Sequence, residues 1–248
     1  MKNRKKQFLK IGIAVLVIAV AGIVAGVVRY RMDNRFDLTV GGHTISKDEY
    51  VNCMKSVEYD TKMQIQQDYD AVYEDGFWGK KYDGKYGYEI LTENTVEQLK
   101  YVHAVYDLAK AYRKPVAIHM GQTAGSRAYL KYSHPLTLDE AAVRHPDVTF
   151  VMCHFGNPWL MDAAAVVEKN ENVMTDLSGL LEGKIDFPKL LEQQRGYFDT
   201  LKTWISYCSQ YEKFMFGTDW PLANYGDYIG VVKWLIPEKK WEKVFYEN

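Results

Sequence analysis

The fold is decided by the stretch Thr149-Phe-Val-Met-Cys-His154-Phe-Gly156, a short apolar run that ends in a histidine. Two similar runs flank it, Pro115-Val-Ala-Ile-His119-Met-Gly121 and Lys213-Phe-Met-Phe-Gly-Thr-Asp219-Trp-Pro221. Short apolar runs bounded by Pro and Gly are typical of strands buried on both faces. A His or Asp at the exit of such a strand is where α/β barrels place their catalytic groups. The three runs therefore predict a site at their exits.

Helix-like and strand-like runs alternate around these stretches from Pro115 to the end of the chain. The predicted strands are 116–120, 149–153, 173–176 and 214–217, and the predicted helices are 138–144, 159–169, 188–210 and 225–235. Such alternation indicates parallel βαβ units. We predict an α/β fold over 113–248, a partial TIM-type β/α barrel of about four parallel strands, preceded by a transmembrane helix and a small helical segment.

The N-terminus carries an apolar run, residues 11–28, that contains only Ile, Val, Leu, Ala and Gly. As a helix it would be about 27 Å long, enough to cross most of a bilayer core. More cationic residues precede the run than follow it, which favours a cytoplasmic tail, 1–10, and an extracytoplasmic bulk. We predict a single-pass signal anchor in the cell membrane. A cleaved signal peptide is the alternative.

The segment 29–112 is predicted to be mainly helical. Ser46-Lys-Asp-Glu49 forms a capping box, and its helix is expected to end near Asp75-Gly76. Asn94-Thr-Val-Glu97 is a second capping pattern. The aromatic-rich stretch 77–88 between them is either a binding loop or a segment whose rings fold back onto the helices.

Composition and motif content argue against several classes of function. The net charge is −1 and no nucleic-acid-binding motif occurs, so we predict no nucleic-acid partner. The three cysteines, Cys53, Cys153 and Cys208, form no CxxC pair. They therefore indicate neither a zinc knuckle nor a disulfide framework.

The strand motifs, in the order PVAIHMG, TFVMCHFGNPW, NVMTDLSG and FMFGTDWPL, resemble the C-terminal half of the amidohydrolase-related metal-dependent hydrolases. This TIM-barrel family includes a branch of aminocarboxymuconate-semialdehyde decarboxylase-like enzymes. The resemblance covers about residues 106–248. It implies metal-dependent hydrolysis of a small-molecule substrate, or the related decarboxylation, which would make the chain a carbon–carbon lyase.

The resemblance also implies roles for individual residues. His119 corresponds to a metal ligand, His154 to the catalytic histidine, and Asp219 to a metal ligand that also accepts a proton. Asp176 lies on the next-to-last strand without an assigned role. The implied cofactor is a divalent metal, with zinc expected. Trp159 and Trp220, beside these motifs, are the candidate substrate-binding residues.

One departure from the family pattern is large. Family members begin with a strand that ends in His-x-His and supplies two metal ligands, and no two of the six histidines here have that spacing. The first four strands of a full barrel are also missing. We therefore predict an incomplete site, with activity of the isolated chain in question. The open strand edges of a half barrel predict association of the chain with itself.

The first part of the chain resembles a different family. The anchor, the stretch Thr39-Val-Gly-Gly-His-Thr-Ile-Ser-Lys-Asp-Glu-Tyr50 and the helix after it are similar to the SurA-like segment of parvulin-type peptidyl-prolyl isomerases. This resemblance implies an alternative function, a membrane-anchored chaperone or foldase-like binding protein without enzymatic activity. Two resemblances in one chain predict a gene fusion. A rearranged gene without a selected function is the third hypothesis.

Overall fold

The structure is a computed structural model that describes residues 36–125 and 128–248. The chain divides into two compact units, of which the first ends at His103 and the second is Ala104–Asn248. The predicted membrane anchor, 11–28, lies outside the described residues. Within the described ranges, no helix has both the length and the apolar character that crossing a bilayer requires.

The first unit contains two small hairpins and two long helices. Its elements are β1 (Leu38–Val40), β2 (His43–Ile45), α1 (Lys47–Tyr69), β3 (Lys81–Tyr82), β4 (Lys85–Tyr86) and α2 (Gly87–Tyr112), and α2 continues into the second unit. β1 pairs antiparallel with β2, and β3 pairs antiparallel with β4. The segment is thus helical, as predicted, with two hairpins that the sequence patterns did not fully indicate.

The capping box at Ser46 starts α1 as predicted. Ser46 Oγ accepts a hydrogen bond from the backbone N–H of Glu49 at 3.2 Å, which satisfies one of the unpaired amides of the first turn. The helix ends earlier than expected. It stops at Tyr69 because Asp70 adopts a left-handed conformation (φ 48°), which breaks the helical hydrogen-bonding pattern.

The second predicted helix start, at Asn94, is wrong. Asn94 lies inside α2, and its side-chain amide donates to Thr61 Oγ1 at 3.0 Å and Gln64 Oε1 at 3.1 Å on α1. Asn94 therefore lies within a longer helix and uses its side-chain Nδ2 to join the two helices. Tertiary contacts have therefore overridden the local preference.

The aromatic-rich stretch partly folds back onto the helices. Phe77 is 1% exposed and Tyr82 8% exposed, and both pack with Ile65 of α1. The hydroxyl of Tyr82 donates to the Phe77 carbonyl oxygen at 3.0 Å. Tyr88 remains exposed, so only part of the stretch is accessible.

The second unit alternates strands and helices, as the sequence predicts. Its elements are β5 (Val116–His119), α3 (Pro135–Arg144), β6 (Phe150–Cys153), α4 (Leu160–Lys169), β7 (Val173–Asp176), α5 (Phe187–Gln193), α6 (Arg195–Cys208), β8 (Phe214–Met215) and α7 (Tyr225–Leu235). The four strands form one parallel sheet in the order β5-β6-β7-β8. A sheet of this order is consistent with part of a TIM-type barrel.

Two helix boundaries differ from the prediction. α3 begins at Pro135, with the His134 ring accepting from the Leu136 amide at 3.4 Å, because Pro is well suited to the first turn of a helix. The single helix predicted over 188–210 is two helices. The backbone leaves helical geometry at Gln194 (φ −124°) and separates α5 from α6.

The two faces of the parallel sheet differ in burial. One face carries Phe150, Met152, Val173, Thr175 and Phe214, which are all buried within the core of the unit. The opposite face carries more accessible side chains, and we call it the open face; its members include Ala117, His119, Cys153, Met174, Asp176 and Met215. In a closed barrel this face would line the interior.

The two edges of the sheet also differ. Beyond β8, the C-terminal segment supplies hydrogen bonds. Phe216 N–H donates to the Val244 carbonyl at 2.9 Å, and Asn248 Nδ2 donates to the Phe214 carbonyl at 2.8 Å. β5 is the other edge, and no strand among the described residues pairs with its outer side. One edge is therefore covered by the chain's own C-terminus.

Asn172 joins the turn before β7 to the turn before β6, and its loss is expected to destabilise the second unit. Its Nδ2 contacts the carbonyl oxygens of Ala142, His145 and Val148 at 3.2, 3.1 and 2.9 Å. We expect Asn172→Ala to lower the free energy of unfolding by about 1–3 kcal/mol, because these carbonyls lose a donor.

Chemical denaturation of the full chain, followed by circular dichroism, measures this effect. Lys169→Ala is the matched control. It removes an exposed ion pair with Asp139 and is expected to cost about 0–1 kcal/mol. Equal stability losses in the two variants would contradict the role given to Asn172.

Candidate active site

The exits of β5 and β6 bring two histidines together. In the parallel register His119 is the partner of Cys153, so the residue after Cys153, His154, lies beside the end of β5. The ring centroids of His119 and His154 are 4.9 Å apart with an interplanar angle of 64°. Parallel strands place their carboxyl ends on one side of the sheet, which is where ligand sites form in α/β folds.

His154 has an unusual backbone conformation. Its φ is +64° and that of Phe155 is +45°, a left-handed region that non-glycine residues seldom adopt. The backbone N–H of His154 donates to Asp176 Oδ1 at 2.9 Å. The carboxylate at the end of β7 therefore helps to hold a turn that costs conformational energy at the end of β6.

One carboxylate oxygen of Asp176 accepts three hydrogen bonds. Besides His154 N–H, Asp176 Oδ1 accepts from the backbone N–H of Ser178 at 2.9 Å and from its hydroxyl at 2.6 Å. The same hydroxyl oxygen lies 2.9 Å from His154 Nδ1. Asp176, Ser178 and His154 thus form one continuous polar network between two strand exits.

Two glycines leave room for this network. Gly179 has φ +61°, and a Cβ there would lie 2.3 Å from His154 Nδ1, closer than atoms can approach. A Cβ at Gly217 would lie 3.0 Å from the Ser178 Cβ. Any other residue at Gly179 would push the imidazole out of its position.

Tyr228 of α7 fixes the loop that carries Ser178. Its hydroxyl donates to the Leu177 carbonyl at 2.6 Å and accepts from the Leu180 amide at 3.0 Å. Burial raises the pKa of this phenol well above its usual value, so it remains a neutral donor. The loop is therefore held from both sides of Ser178.

Cys153 lies on the open face beside these groups, and its thiol is not activated. Burial, with the negative charges of Asp176 and Asp219, raises the pKa of Cys153 to about 12. A thiol in this state is a poor nucleophile, because nucleophilic attack requires the thiolate.

The remaining predicted residues are more exposed. Asp219 lies in the turn after β8 with φ +58°, and the neighbouring Trp220 is 77% exposed. Trp159 is half-buried, and its ring centroid lies 4.8 Å from that of His134. Substrate binding by the two tryptophans stays a prediction.

The residues present do not by themselves fit a metal ion. Among residues 36–125 and 128–248, no group of three or more His, Cys, Asp or Glu side chains is arranged to hold one. A zinc site in a protein uses at least three such ligands. His119 and Asp219, the ligands that the resemblance implies, supply two donors, and an incomplete metal site stays a prediction.

The sequence patterns missed Ser178 and the role of Gly179. In the sequence, the stretch Asp176-Leu-Ser-Gly179 is distinguished only as part of the motif NVMTDLSG. The presence of a serine and a glycine directly after a strand-end aspartate was the available signal. Nothing local indicated that their partner is His154, because the two segments are distant in the sequence.

Similarity to known proteins agrees with this architecture. The model for the amidohydrolase family matches residues 55–248, a span that begins within α1 and covers well over half of the chain. No curated protein matches the chain.

Several solved structures are similar to this chain at low identity. A TIM-barrel protein from Bordetella bronchiseptica is 20% identical, with a TM-score of 0.44 over 59% of this chain and 48% of that one. Amidohydrolase 2 from Bifidobacterium longum subsp. infantis is 15% identical, with a TM-score of 0.36 over 58% and 51%. A zinc-bound amidohydrolase from Burkholderia multivorans is 13% identical, with a TM-score of 0.45 over 82% and 78%.

The chain spans about half the length of the first two of these structures. The family assignment rests on the family model and not on these distant likenesses. On that match, the chain belongs to the amidohydrolase family.

Proposed function

We propose that the chain is a hydrolase of amidohydrolase type whose reaction takes place at the exits of β5, β6 and β8. The observation that supports this most is the pair of imidazoles, His119 and His154, with ring centroids 4.9 Å apart on the open side of a parallel sheet. Two imidazoles at such a position can accept and return protons near neutral pH. The substrate would be a small molecule with a hydrolysable C–N or C–O bond.

In this proposal His154 is the general base. It takes a proton from a water molecule whose oxygen attacks the substrate carbonyl. Protonated His154 then gives this proton to the leaving nitrogen or oxygen as the C–N or C–O bond breaks. Asp219, exposed in the turn after β8, would accept the second proton. The motifs quoted above favour the decarboxylase-like branch of the family, in which carbon–carbon cleavage is the related alternative.

Zinc is the metal that the resemblance implies, and His119 and Asp219 would be two of its donors. These two donors do not complete a zinc site, and no step above depends on a metal.

Replacement of His154 tests the proposed base. We expect His154→Asn to lower kcat/KM by about 100-fold or more, the usual contribution of a general base. Hydrolysis of 4-nitrophenyl acetate by the full chain is the measurement. His145→Asn is the matched control, since His145 precedes β6 and lies at the opposite end of the sheet. Equal rates for the His154 variant and the wild type would contradict the proposal.

Zinc content tests the incomplete metal site. We expect the purified full chain, after equilibration with zinc and removal of the excess, to retain much less than one zinc per chain, because two donors bind weakly. Elemental analysis of the wild type and of His119→Ala measures it. One zinc per wild-type chain, lost in the variant, would contradict this expectation and show that a complete site forms.

We also propose that two copies associate through β5. The strand has an outer side without a strand partner among the described residues, and its Ala117 and His119 are exposed. An accessible strand edge tends to pair with another chain. The opposite edge offers no such position, because the C-terminal segment contributes hydrogen bonds beside β8.

A charge on β5 tests this association. We expect the full chain in detergent to show a dimer by light scattering, and Ala117→Lys to shift it toward the monomer, since lysine on an edge strand opposes pairing. Ala117→Ser is the matched control and is expected to keep the dimer. A strictly monomeric wild type would rule the association out.

The membrane-anchored chaperone remains the second hypothesis. Its anchor, 11–28, lies outside the described residues, and so does the evidence for a cell-membrane location. Of the described parts, the exposed Tyr73 beside the partly buried Trp78 borders an open groove of about 390 Å³ in the first unit. The groove is open enough for a peptide, and its lining residues do not distinguish a peptide from other ligands.

A further inference from the structure

The hydroxyl of Ser178 lies between a carboxylate and an imidazole. Ser178 Oγ is 2.6 Å from Asp176 Oδ1 and 2.9 Å from His154 Nδ1. A hydroxyl has one proton to donate, whereas its oxygen can accept. The two contacts therefore cannot both be donations by Ser178, and the direction of each must be decided.

The carboxylate decides the direction. Asp176 Oδ1 already accepts two backbone N–H groups, from His154 and Ser178, so this oxygen acts as an acceptor. At 2.6 Å, a serine oxygen facing that oxygen without a proton between them would place two acceptors in contact. Short O–H···O⁻ bonds of this length are typical of donation to a carboxylate.

If Ser178 donates to Asp176, its oxygen must accept from His154. His154 Nδ1 then carries a proton. A neutral imidazole has only one N–H, so Nε2 is left with a free lone pair. A histidine whose Nδ1–H is bonded in this way has its reactive nitrogen at Nε2.

We propose that Ser178 and Asp176 are positioning residues, which hold His154 in the Nδ1–H tautomer with Nε2 free to accept a proton. Neither residue need touch the substrate. The proposal deepens the function given above, and its link to catalysis rests on that function. The tautomer itself is a property of the resting chain.

The packing around the network supports a fixed arrangement. Ser178 is 7% exposed, so its hydroxyl is largely shielded from solvent. Gly179 lets the loop approach the imidazole face, and Tyr228 bonds the backbone on either side of Ser178. These contacts thus support one role for Ser178. It links the Asp176 carboxylate to the His154 ring and so fixes the orientation of the ring.

In this tautomer His154 can act as a base at Nε2 without first moving a proton from one ring nitrogen to the other. A His in the opposite tautomer would present an N–H at Nε2 and could not take a proton from water there. Loss of the preferred tautomer of a base lowers catalysis even when the geometry is kept. Asp176 and Ser178 would therefore affect the rate through His154 alone.

Nitrogen NMR of the full chain labelled with ¹⁵N-histidine tests the proposal. At about pH 9, where an ordinary imidazole is neutral, the two ring nitrogens have distinct shifts that identify which one carries the proton. The His154 resonances are assigned by their loss in His154→Asn. We expect a single tautomer in the wild type, with the proton on Nδ1.

Two variants complete the experiment. Ser178→Ala is expected to lose the single tautomer. Thr175→Val is the matched control and is expected to keep the single tautomer. It removes a buried hydroxyl of β7 that donates to the Met152 carbonyl, and the Thr175 side chain lies on the opposite face of the sheet. The Thr175 variant shows whether general destabilisation changes the tautomer.

The proposal is overturned if wild-type His154 carries its proton on Nε2, or if Ser178→Ala keeps the Nδ1–H tautomer. Should Ser178→Ala fail to fold, the wild-type spectrum decides by itself. Because this measurement needs no substrate, it separates the two ideas. Absence of hydrolysis with the Nδ1–H tautomer present would refute the hydrolase function and leave the positioning network intact.

Discussion

The parallel register of β5, β6 and β7 is the constraint on which the rest of the second unit depends. It places His119 opposite Cys153 and, by continuing the same face, brings Asp176 into line with them. Because side chains alternate along a strand, all three polar residues share the open face, while Phe150, Met152 and Thr175 are buried on the other. A shift of the register by one residue would exchange the two sets of side chains and bury His119, Cys153 and Asp176.

The same sheet explains why its two edges differ. A closed barrel removes its strand edges, whereas four strands leave two. The C-terminal segment covers the outer side of β8 with backbone and Asn248 hydrogen bonds, but β5 has no strand partner among residues 36–125 and 128–248. The open face and the open edge are thus two results of one cause, the small number of strands.

Family membership and the donor set lead to different expectations for the metal. The amidohydrolase match extends from residue 55 to residue 248, and the family resemblance implies a divalent metal. The described side chains form no three-ligand group. What they do form is a continuous polar network, in which one carboxylate oxygen of Asp176 accepts hydrogen bonds from Ser178 and from the backbone of His154.

The sequence by itself determined the strand–helix alternation, the four strands of the sheet, and the placing of His119, His154 and Asp219 at strand exits. These features are local, since Pro, Gly and apolar runs specify strands without reference to distant residues. Only the tertiary structure decided what Asn94 and Ser178 do. Asn94 lies inside α2 and donates its Nδ2 to α1, and Ser178 meets His154 only once β6 and β7 are paired. Contacts across such distances depend on the register and on the left-handed turns at the strand exits, which no local pattern of residues specifies.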